Sequence, residues 1–272
     1  MRFNFHDYKA YLECPSKYKR NADGERAERN AYFSVAGELV QKFFEMYANH
    51  WRAAGLLMSE AKVRERMRPH WDVLLYYNKV DWKDPMSKLS KEDLYNECIS
   101  TIMLNLENKD VYEDTKSEVK IEVQFATGDT LVCKIDFVKT LEDASVAIID
   151  GKNSGTIGKY VDERQLLFYA IMYRFKYKVL PKELGFLYYK HLVLDQITFK
   201  EEDVDRLWVD VMRVILEIKK AKEFPCKPSA KACKYCDYLS TCETGKKDMD
   251  SRKRPKVLMS RASLGLESAF DD

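Results

Sequence analysis

Two short apolar segments joined by a polar turn constrain the fold of this 272-residue chain more than any other feature. The first segment, 132–136, ends in an aspartate, and the second, 148–152, ends in the triplet Asp-Gly-Lys. Short apolar runs bounded by polar residues predict strands, and the polar residues 140–144 predict the turn between them. The sequence therefore predicts a β-hairpin that brings two aspartates and a lysine together.

The register of this hairpin decides whether the two carboxylates meet. With the turn centred at Leu141–Glu142, Asp136 faces Ile148, and Asp150 is its diagonal neighbour about 7–8 Å away. Side chains alternate along a strand, so Asp150 and Lys152 share one face. Two carboxylates suit a hard divalent cation, and a lysine beside them suits an attacked phosphate. A hairpin stabilised by ion pairs contains the same residues, so these residues alone leave both interpretations open.

A pair of polar residues on the next helix favours the metal site over a hairpin that is only stabilised by ion pairs. Gln165 and Tyr169 are four residues apart in the helical stretch 162–169, so the amide and the phenol lie on one face and can reach the same ligand. Together with Asp136 and the triplet Asp150–Lys152, they resemble the PD-(D/E)XK nuclease superfamily, and in particular its RecB-like branch. The resemblance implies that Gln165 and Tyr169 hold the DNA strand beside the site.

This resemblance covers roughly residues 1–245 and implies an α/β fold in which helices flank a central mixed sheet. It implies that Asp136, Asp150 and Lys152 are catalytic. It also implies that Asp136, Asp150 and the Gly151 carbonyl bind Mg²⁺ or Mn²⁺. The expected activity is metal-dependent cleavage of DNA.

A helix before the hairpin is expected to supply a further metal ligand. Apolar residues recur at helical spacing in 35–47 and predict a buried stripe formed by Leu39, Val40, Phe43, Phe44 and Tyr47. Gln41 lies on another line of this helix, where RecB-like relatives usually carry histidine. An amide oxygen can ligate Mg²⁺, but it binds Mn²⁺ more weakly than an imidazole does. We therefore expect Gln41 among the metal ligands, with an altered metal preference.

The cysteines predict a second metal centre. Cys233, Cys236 and Cys242 form the pattern C-x2-C-x5-C, and Cys14 is a candidate fourth ligand. The count of seven is odd and nothing suggests secretion, which argues against a disulfide framework. Three close thiolates need a fourth ligand to complete a zinc site or a cluster, and the spacing alone favours zinc. Cys226 is the rival fourth ligand.

The N-terminal segment changes this preference. Residues 5–18 resemble the N-terminal box of iron–sulfur nucleases in the RecB-like branch, among them the CRISPR-adaptation exonuclease and the AddB-type helicase–nuclease subunit. In those proteins one early cysteine and three late ones bind a [4Fe-4S] cluster that staples the ends of the chain. The resemblance therefore implies a [4Fe-4S] cluster held by Cys14, Cys233, Cys236 and Cys242, with zinc as the alternative.

Periodicity predicts the order of the elements. We predict helices at 31–51, 59–77, 91–107 and 202–222, and strands at 118–127, 130–139, 145–151 and 185–192. We expect one nuclease domain over 1–245, with a helical insertion at about 52–110 and cluster-binding segments at about 5–20 and 224–244. The composition of 246–272 predicts a flexible tail with basic and acidic residues.

The charge distribution limits how the chain can hold nucleic acid. The net charge is only +2, so DNA binding has to come from local patches such as Lys17, Lys19 and Arg20. No apolar run reaches the ~18 residues of a membrane span, and the polar N-terminus does not resemble a signal peptide. We expect a cytoplasmic protein of a prokaryotic cell or a phage-infected host, without a membrane partner.

These patterns lead to one expected function and two alternatives. We expect an exonuclease that acts on DNA ends or single strands in DNA processing, recombination, or CRISPR or phage DNA metabolism. One alternative is a non-catalytic DNA-binding module, which Gln41 in the histidine position favours and the intact Asp136, Asp150 and Lys152 disfavour. The other is a structural subunit of a larger DNA-processing complex, which would have a protein partner.

Overall fold

The computed structural model describes residues 1–25, 31–51, 58–84, 87–107, 112–159, 161–234 and 236–253. The chain separates into two compact units. The first contains Met1–Lys9 and Arg29–Ala221, and the second contains Ala10–Glu28 and Lys222–Asp272. No helix within the described ranges is both long enough and apolar enough to cross a membrane.

A mixed β-sheet forms the centre of the first unit. Its described strands are β1 Arg2–Phe3, β2 Thr115–Gln124, β3 Thr130–Thr140, β4 Val146–Lys152, β5 Glu183–Tyr188 and β6 Val193–Ile197. The order is β1-β3-β4-β5-β6, and β2 pairs with β3 outside this path. The pairs β1–β3 and β4–β5 are parallel, and β2–β3, β3–β4 and β5–β6 are antiparallel. The predicted mixed sheet flanked by helices is confirmed.

The helices of the first unit cover this sheet and extend into a separate helical layer. Their described bounds are α3 Tyr32–Met46, which continues as a π-helical turn Tyr47–Trp51, then α4 Glu60–Tyr77, α5 Lys91–Leu106, α6 Arg164–Tyr177 and α7 Glu201–Lys220. Helix α1, Phe5–Glu13, contains residues of both units. The second unit contains α2 Pro15–Ala22, α8 Ala230–Lys234, a 3₁₀ turn Leu239–Thr241 and α9 Glu243–Lys253.

Local signals explain where helices α4 and α5 begin. Ser59 caps α4 by accepting a hydrogen bond from the Lys62 amide, and Ser90 caps α5 by accepting one from the Asp93 amide. Each cap satisfies an amide that has no partner within its own helix. The predicted apolar stripe of α3 is fully buried and packs in one core with Trp71 of α4 and Ile99 of α5.

The hairpin of β3 and β4 differs from its predicted register by two residues. Phe137 pairs with Ile149 and Thr140 pairs with Val146, and the Leu141 amide donates to the Ser145 carbonyl across the turn. Continued by one residue, this register places Asp136 opposite Asp150 and not opposite Ile148. A shift by two residues keeps every side chain on its face, so the prediction that the two carboxylates share a face holds.

Several predicted element bounds differ from the observed ones. The predicted strand 185–192 is β5, which ends at Tyr188, and the exposed edge strand β6 follows it. Strand β2 begins at Thr115, three residues before its predicted start. Helix α9 reaches Lys253, so the first part of the predicted flexible tail is helical. The rest of that tail, 254–272, lies outside the described residues.

Candidate active site

Strands β3 and β4 place Asp136 and Asp150 side by side on one face of the sheet. The Gly151 amide donates a 2.8 Å hydrogen bond to Asp136 Oδ2. Asp150 is only 2% exposed, because β4 lies between β3 and β5. Burial and the neighbouring charge of Asp150 raise the pKa of Asp136 well above its usual value. Two neighbouring carboxylates, one of them buried, need a positive charge to stay ionised together.

The two oxygens of Asp150 have different surroundings. Its Oδ1 accepts hydrogen bonds from Gln165 Nε2 at 3.0 Å and from Tyr169 Oη at 3.4 Å. Its Oδ2 lies 2.6 Å from Lys152 Nζ as an ion pair, yet it is buried and accepts no hydrogen bond from the described residues. The ammonium of Lys152 and the carboxylate of Asp150 thus attract each other as charges, but they are not aligned for a hydrogen bond. A buried carboxylate oxygen of this kind suits a hard divalent cation.

Helix α6 supplies the groups that orient Asp150 and Lys152. Gln165 Nε2 also lies 2.8 Å from Tyr169 Oη, and Lys152 Nζ donates to Gln165 Oε1 at 3.3 Å. Tyr169 is buried, and burial raises the pKa of its phenol well above the usual value, so the hydroxyl stays protonated. In this structure both side chains contact Asp150, and their predicted contact with DNA stays a prediction.

Helix α3 brings Gln41 to the other side of Asp136 and Gly151. Tyr189 Oη donates to Gln41 Oε1, and Gln41 Nε2 donates to Glu118 Oε1 at 3.4 Å. A cavity of about 470 Å³ is bordered by Gln41, Glu118, Asp136 and Gly151 together with residues of α4. Gln41 thus lies beside the carboxylates, and its role as a metal ligand stays a prediction.

Glu118 is the site residue that sequence reasoning missed. Its side chain is 11% exposed and forms an ion pair with Lys134. Its backbone φ is +56°, which a non-glycine residue in a strand rarely adopts and which costs of the order of 1–3 kcal/mol. Within the sequence, Glu118 is an ordinary charged residue of a strand, so no local signal could have identified it.

The atoms around residue 151 leave no room for a side chain, so this position requires glycine. A Cβ at this position would lie 1.9 Å from Tyr189 Oη and 2.8 Å from Gln41 Oε1. Both distances are far below van der Waals contact, so no other side chain fits without moving Tyr189. Because Gly151 has no side chain, Gln41 of α3 and Tyr189 after β5 can approach the backbone between the charged residues on either side of it.

A second cavity borders the same carboxylates on the side of β2. It has a volume of about 660 Å³, and its walls include Asp136, Asp150 and Lys152. Residues of β1, α1, β2, β3 and α6 also line it, among them Arg2, His6, Lys120 and Lys134. We call this cavity the catalytic cleft, because it borders the residues that the sequence predicts to be catalytic. It is large enough for a substrate group beside the carboxylates.

Five cysteines of the second unit surround one small cavity of about 30 Å³, namely Cys14, Cys226, Cys233, Cys236 and Cys242. The Sγ atoms of Cys226 and Cys242 are 3.6 Å apart, and the Lys227 amide donates to Cys14 Sγ at 3.3 Å. Burial and the neighbouring thiols of Cys242 and Cys14 raise the pKa of Cys226 to about 12. Nowhere in the described ranges are three or more histidine, cysteine, aspartate or glutamate side chains arranged so that they could hold a metal ion.

The predicted basic patch lies in the same unit, and each of its cations has a carboxylate partner. Lys17 pairs with Glu13 and Lys19 with Asp23, while Arg20 pairs with Glu25 and stacks over the Tyr238 ring. The role of Lys17, Lys19 and Arg20 in DNA binding stays a prediction. Cys98 and Cys133 lie in the first unit, where Cys98 is buried.

The sequence profile of the PD-(D/E)XK nuclease superfamily matches residues 2–243. The chain belongs to this superfamily. Membership implies nuclease activity, the hydrolysis of phosphodiester bonds of nucleic acid, in a family whose members typically use divalent metals such as Mg²⁺. The RecB-like branch stays a prediction.

Two solved structures resemble this PD-(D/E)XK chain. The crystal structure of SSO0001 matches with 15% identity and a TM-score of 0.32, and the match covers 76% of this chain and 95% of SSO0001. The crystal structure of VC1899 from Vibrio cholerae matches with 10% identity and a TM-score of 0.23, over 68% of this chain and 52% of VC1899. No curated protein sequence matches the chain significantly.

Proposed function

We propose that this protein is a deoxyribonuclease that depends on Mg²⁺ or Mn²⁺ and acts on single strands or ends of DNA. One observation carries the proposal. Asp150 is buried next to Asp136, and its Oδ2 accepts no hydrogen bond from the described residues although Lys152 is adjacent. Buried oxygen donors of this kind fit a divalent cation, and the adjacent ammonium fits a phosphate.

Each residue of the site would have a distinct role in the reaction. Asp136, Asp150 and the Gly151 carbonyl would hold the cation, with Gln41 beside them. When bound, the cation supplies an activated water and neutralises charge on the phosphate. Lys152 places a positive charge where the phosphate becomes more negative in the transition state. Gln165 keeps both groups aligned, because it donates to Asp150 and accepts from Lys152.

The finer details of this proposal come from the resemblance to RecB-like exonucleases. Action on free ends, a protein partner in DNA processing, and a place in the cytoplasm of a prokaryotic cell or a phage-infected host all rest on that resemblance. The non-catalytic alternative requires a site unable to bind a cation, and the two adjacent carboxylates of Asp136 and Asp150 argue against it.

Incubation of the purified protein with labelled DNA tests the activity. We expect linear single-stranded DNA to be degraded from its ends with Mn²⁺ or Mg²⁺, and to stay intact in EDTA, because the carboxylates cannot hold the phosphate without a cation. Circular single-stranded DNA is the control, and it should be resistant. Degraded circles would indicate an endonuclease. DNA binding without cleavage under any divalent metal would favour the non-catalytic alternative.

The proposal extends to a [4Fe-4S] cluster on Cys14, Cys233, Cys236 and Cys242. The C-x2-C-x5-C spacing supports it, and so does the position of these four residues around one cavity of one compact unit. Cys226 borders the same cavity and contacts Cys242, so it is the competing fourth ligand, and zinc is the competing metal. Such a site would stabilise the second unit by joining residues far apart in the sequence.

Replacement of single cysteines distinguishes these ligand sets. We expect anaerobically purified protein to be brown and to contain iron and acid-labile sulfide. Cys14→Ser and Cys236→Ser should lose iron and thermal stability together, whereas Cys226→Ser should retain both. Cys98→Ala, which lies outside the cavity, is the control for cysteine replacement as such. Loss of metal in Cys226→Ser with retention in Cys14→Ser would reassign the fourth ligand, and one zinc without iron would replace the cluster by a zinc site.

A further inference from the structure

Two lysines lie directly opposite each other on the strands that form the catalytic cleft. Lys120 of β2 pairs with Lys134 of β3 in the register of the sheet. Lys134 precedes Asp136 by two residues, so its side chain is on the same face as that carboxylate. Both lysines border the catalytic cleft together with Asp136 and Asp150.

The other cations of this cleft are neutralised by carboxylates. Lys134 pairs with Glu118, Lys152 pairs with Asp150, and Arg2 pairs with Glu122 at 3.0 Å. The side chain of Lys120 is exposed and has no ion-pair or hydrogen-bond partner among the described residues. It therefore brings an uncompensated positive charge to the wall of the cleft.

This arrangement is unfavourable in the absence of an anion. Like charges directly opposite each other on neighbouring strands destabilise a sheet. The carboxylate of Glu118 offsets the charge of Lys134 alone. An anion that binds between the two ammonium groups would remove the repulsion, and a nucleic acid strand supplies such an anion at every nucleotide.

We propose that Lys120, assisted by Lys134, binds the phosphodiester that neighbours the scissile one on the substrate strand. Two residues along a strand span about 7 Å, so the lysine pair lies one such step from Asp136. The inference rests on the proposed nuclease function and adds a second phosphate subsite to it. Because this contact reaches the backbone and not a base, it contributes affinity and position without sequence preference.

Binding measurements with Lys120 variants test the subsite. Lys120→Gln and Lys120→Glu are compared with Lys116→Gln, which lies on the same strand opposite Val138 and does not border the cleft. Each is combined with Asp150→Asn, so that a labelled single-stranded oligonucleotide is not cut. The slope of log Kd against log salt should decrease by about 1 in Lys120→Gln, because one phosphate contact is lost. Lys120→Glu should bind more weakly still, and Lys116→Gln should match its parent.

Cleavage kinetics complete the test, with each lysine variant made in the protein that retains Asp150. The loss in Lys120→Gln should appear mainly as a higher KM, because the contact is made equally in the ground state and the transition state. A salt slope in Lys120→Gln equal to that in Lys116→Gln would overturn the subsite. A fall in kcat with an unchanged Kd would also overturn it. If the Asp150→Asn protein binds DNA through Lys120 but the unsubstituted protein never cleaves DNA, the nuclease proposal fails and the phosphate subsite stands. Failure of the Asp150→Asn protein to bind DNA would overturn both the nuclease proposal and the phosphate subsite.

Discussion

Replacement of Asp150 with asparagine is expected to abolish nearly all DNA cleavage and to leave the protein folded. Asparagine has the same shape, and its oxygen can still accept the hydrogen bonds that Gln165 and Tyr169 donate to Oδ1. It has no charge with which to hold a cation, and it leaves Lys152 without its ion-pair partner. A loss of about 4 kcal/mol in transition-state stabilisation corresponds to a roughly thousandfold lower rate.

The control for Asp150→Asn comes from the same hairpin. Asp143 lies in its turn, is exposed, and forms an ion pair with Lys182 at 2.5 Å. Asp143→Asn should cleave like the parent protein, because exposed ion pairs contribute little and this one does not border the cleft. The assay is degradation of end-labelled single-stranded DNA under single-turnover conditions, with circular dichroism to verify the fold. Near-normal activity of Asp150→Asn would show that the active-site assignment is wrong.

The second large effect is expected from Gly151→Ala. The added methyl group would lie 1.9 Å from Tyr189 Oη, so either Tyr189 or the end of β4 has to move. Overpacking of this kind typically costs about 1–3 kcal/mol. In a domain of this size each kcal/mol lowers the Tm by about 2–4 °C. Because Gly151 lies between Asp150 and Lys152, the displacement should also reduce cleavage strongly.

Gly155→Ala is the matched control for this substitution. Gly155 lies four residues further along the chain, and a Cβ there would meet no atom within 4 Å. It should therefore have the stability and the activity of the parent protein. Thermal denaturation and the cleavage assay are measured for both variants. A Gly151→Ala protein as stable and active as Gly155→Ala would mean that Tyr189 is free to move away from the site.

Local patterns were sufficient to predict much of the candidate site. The spacing of Gln165 and Tyr169 predicted that the two side chains share one face of a helix, because residues four apart on a helix are always neighbours. The apolar periodicity of α3 predicted the buried stripe that orients Gln41. The two aspartates share a face because side chains alternate in any strand, even with a hairpin register wrong by two residues.

The sequence by itself determined two kinds of property of this protein. Short-range periodicity and spacing determined that the charged residues of the hairpin share one face, and the resemblance that these residues carry indicated the superfamily and the mixed sheet. Only the tertiary structure decided that Glu118 accepts a hydrogen bond from Gln41 and that Tyr189 fills the space above Gly151. It also decided that the side chain of Lys120 has no ion-pair partner among the described residues. Gln41 and Tyr189 are 148 positions apart in the chain. Contacts at such separations arise when whole elements pack together, and that packing leaves no trace in the few residues on either side of each partner.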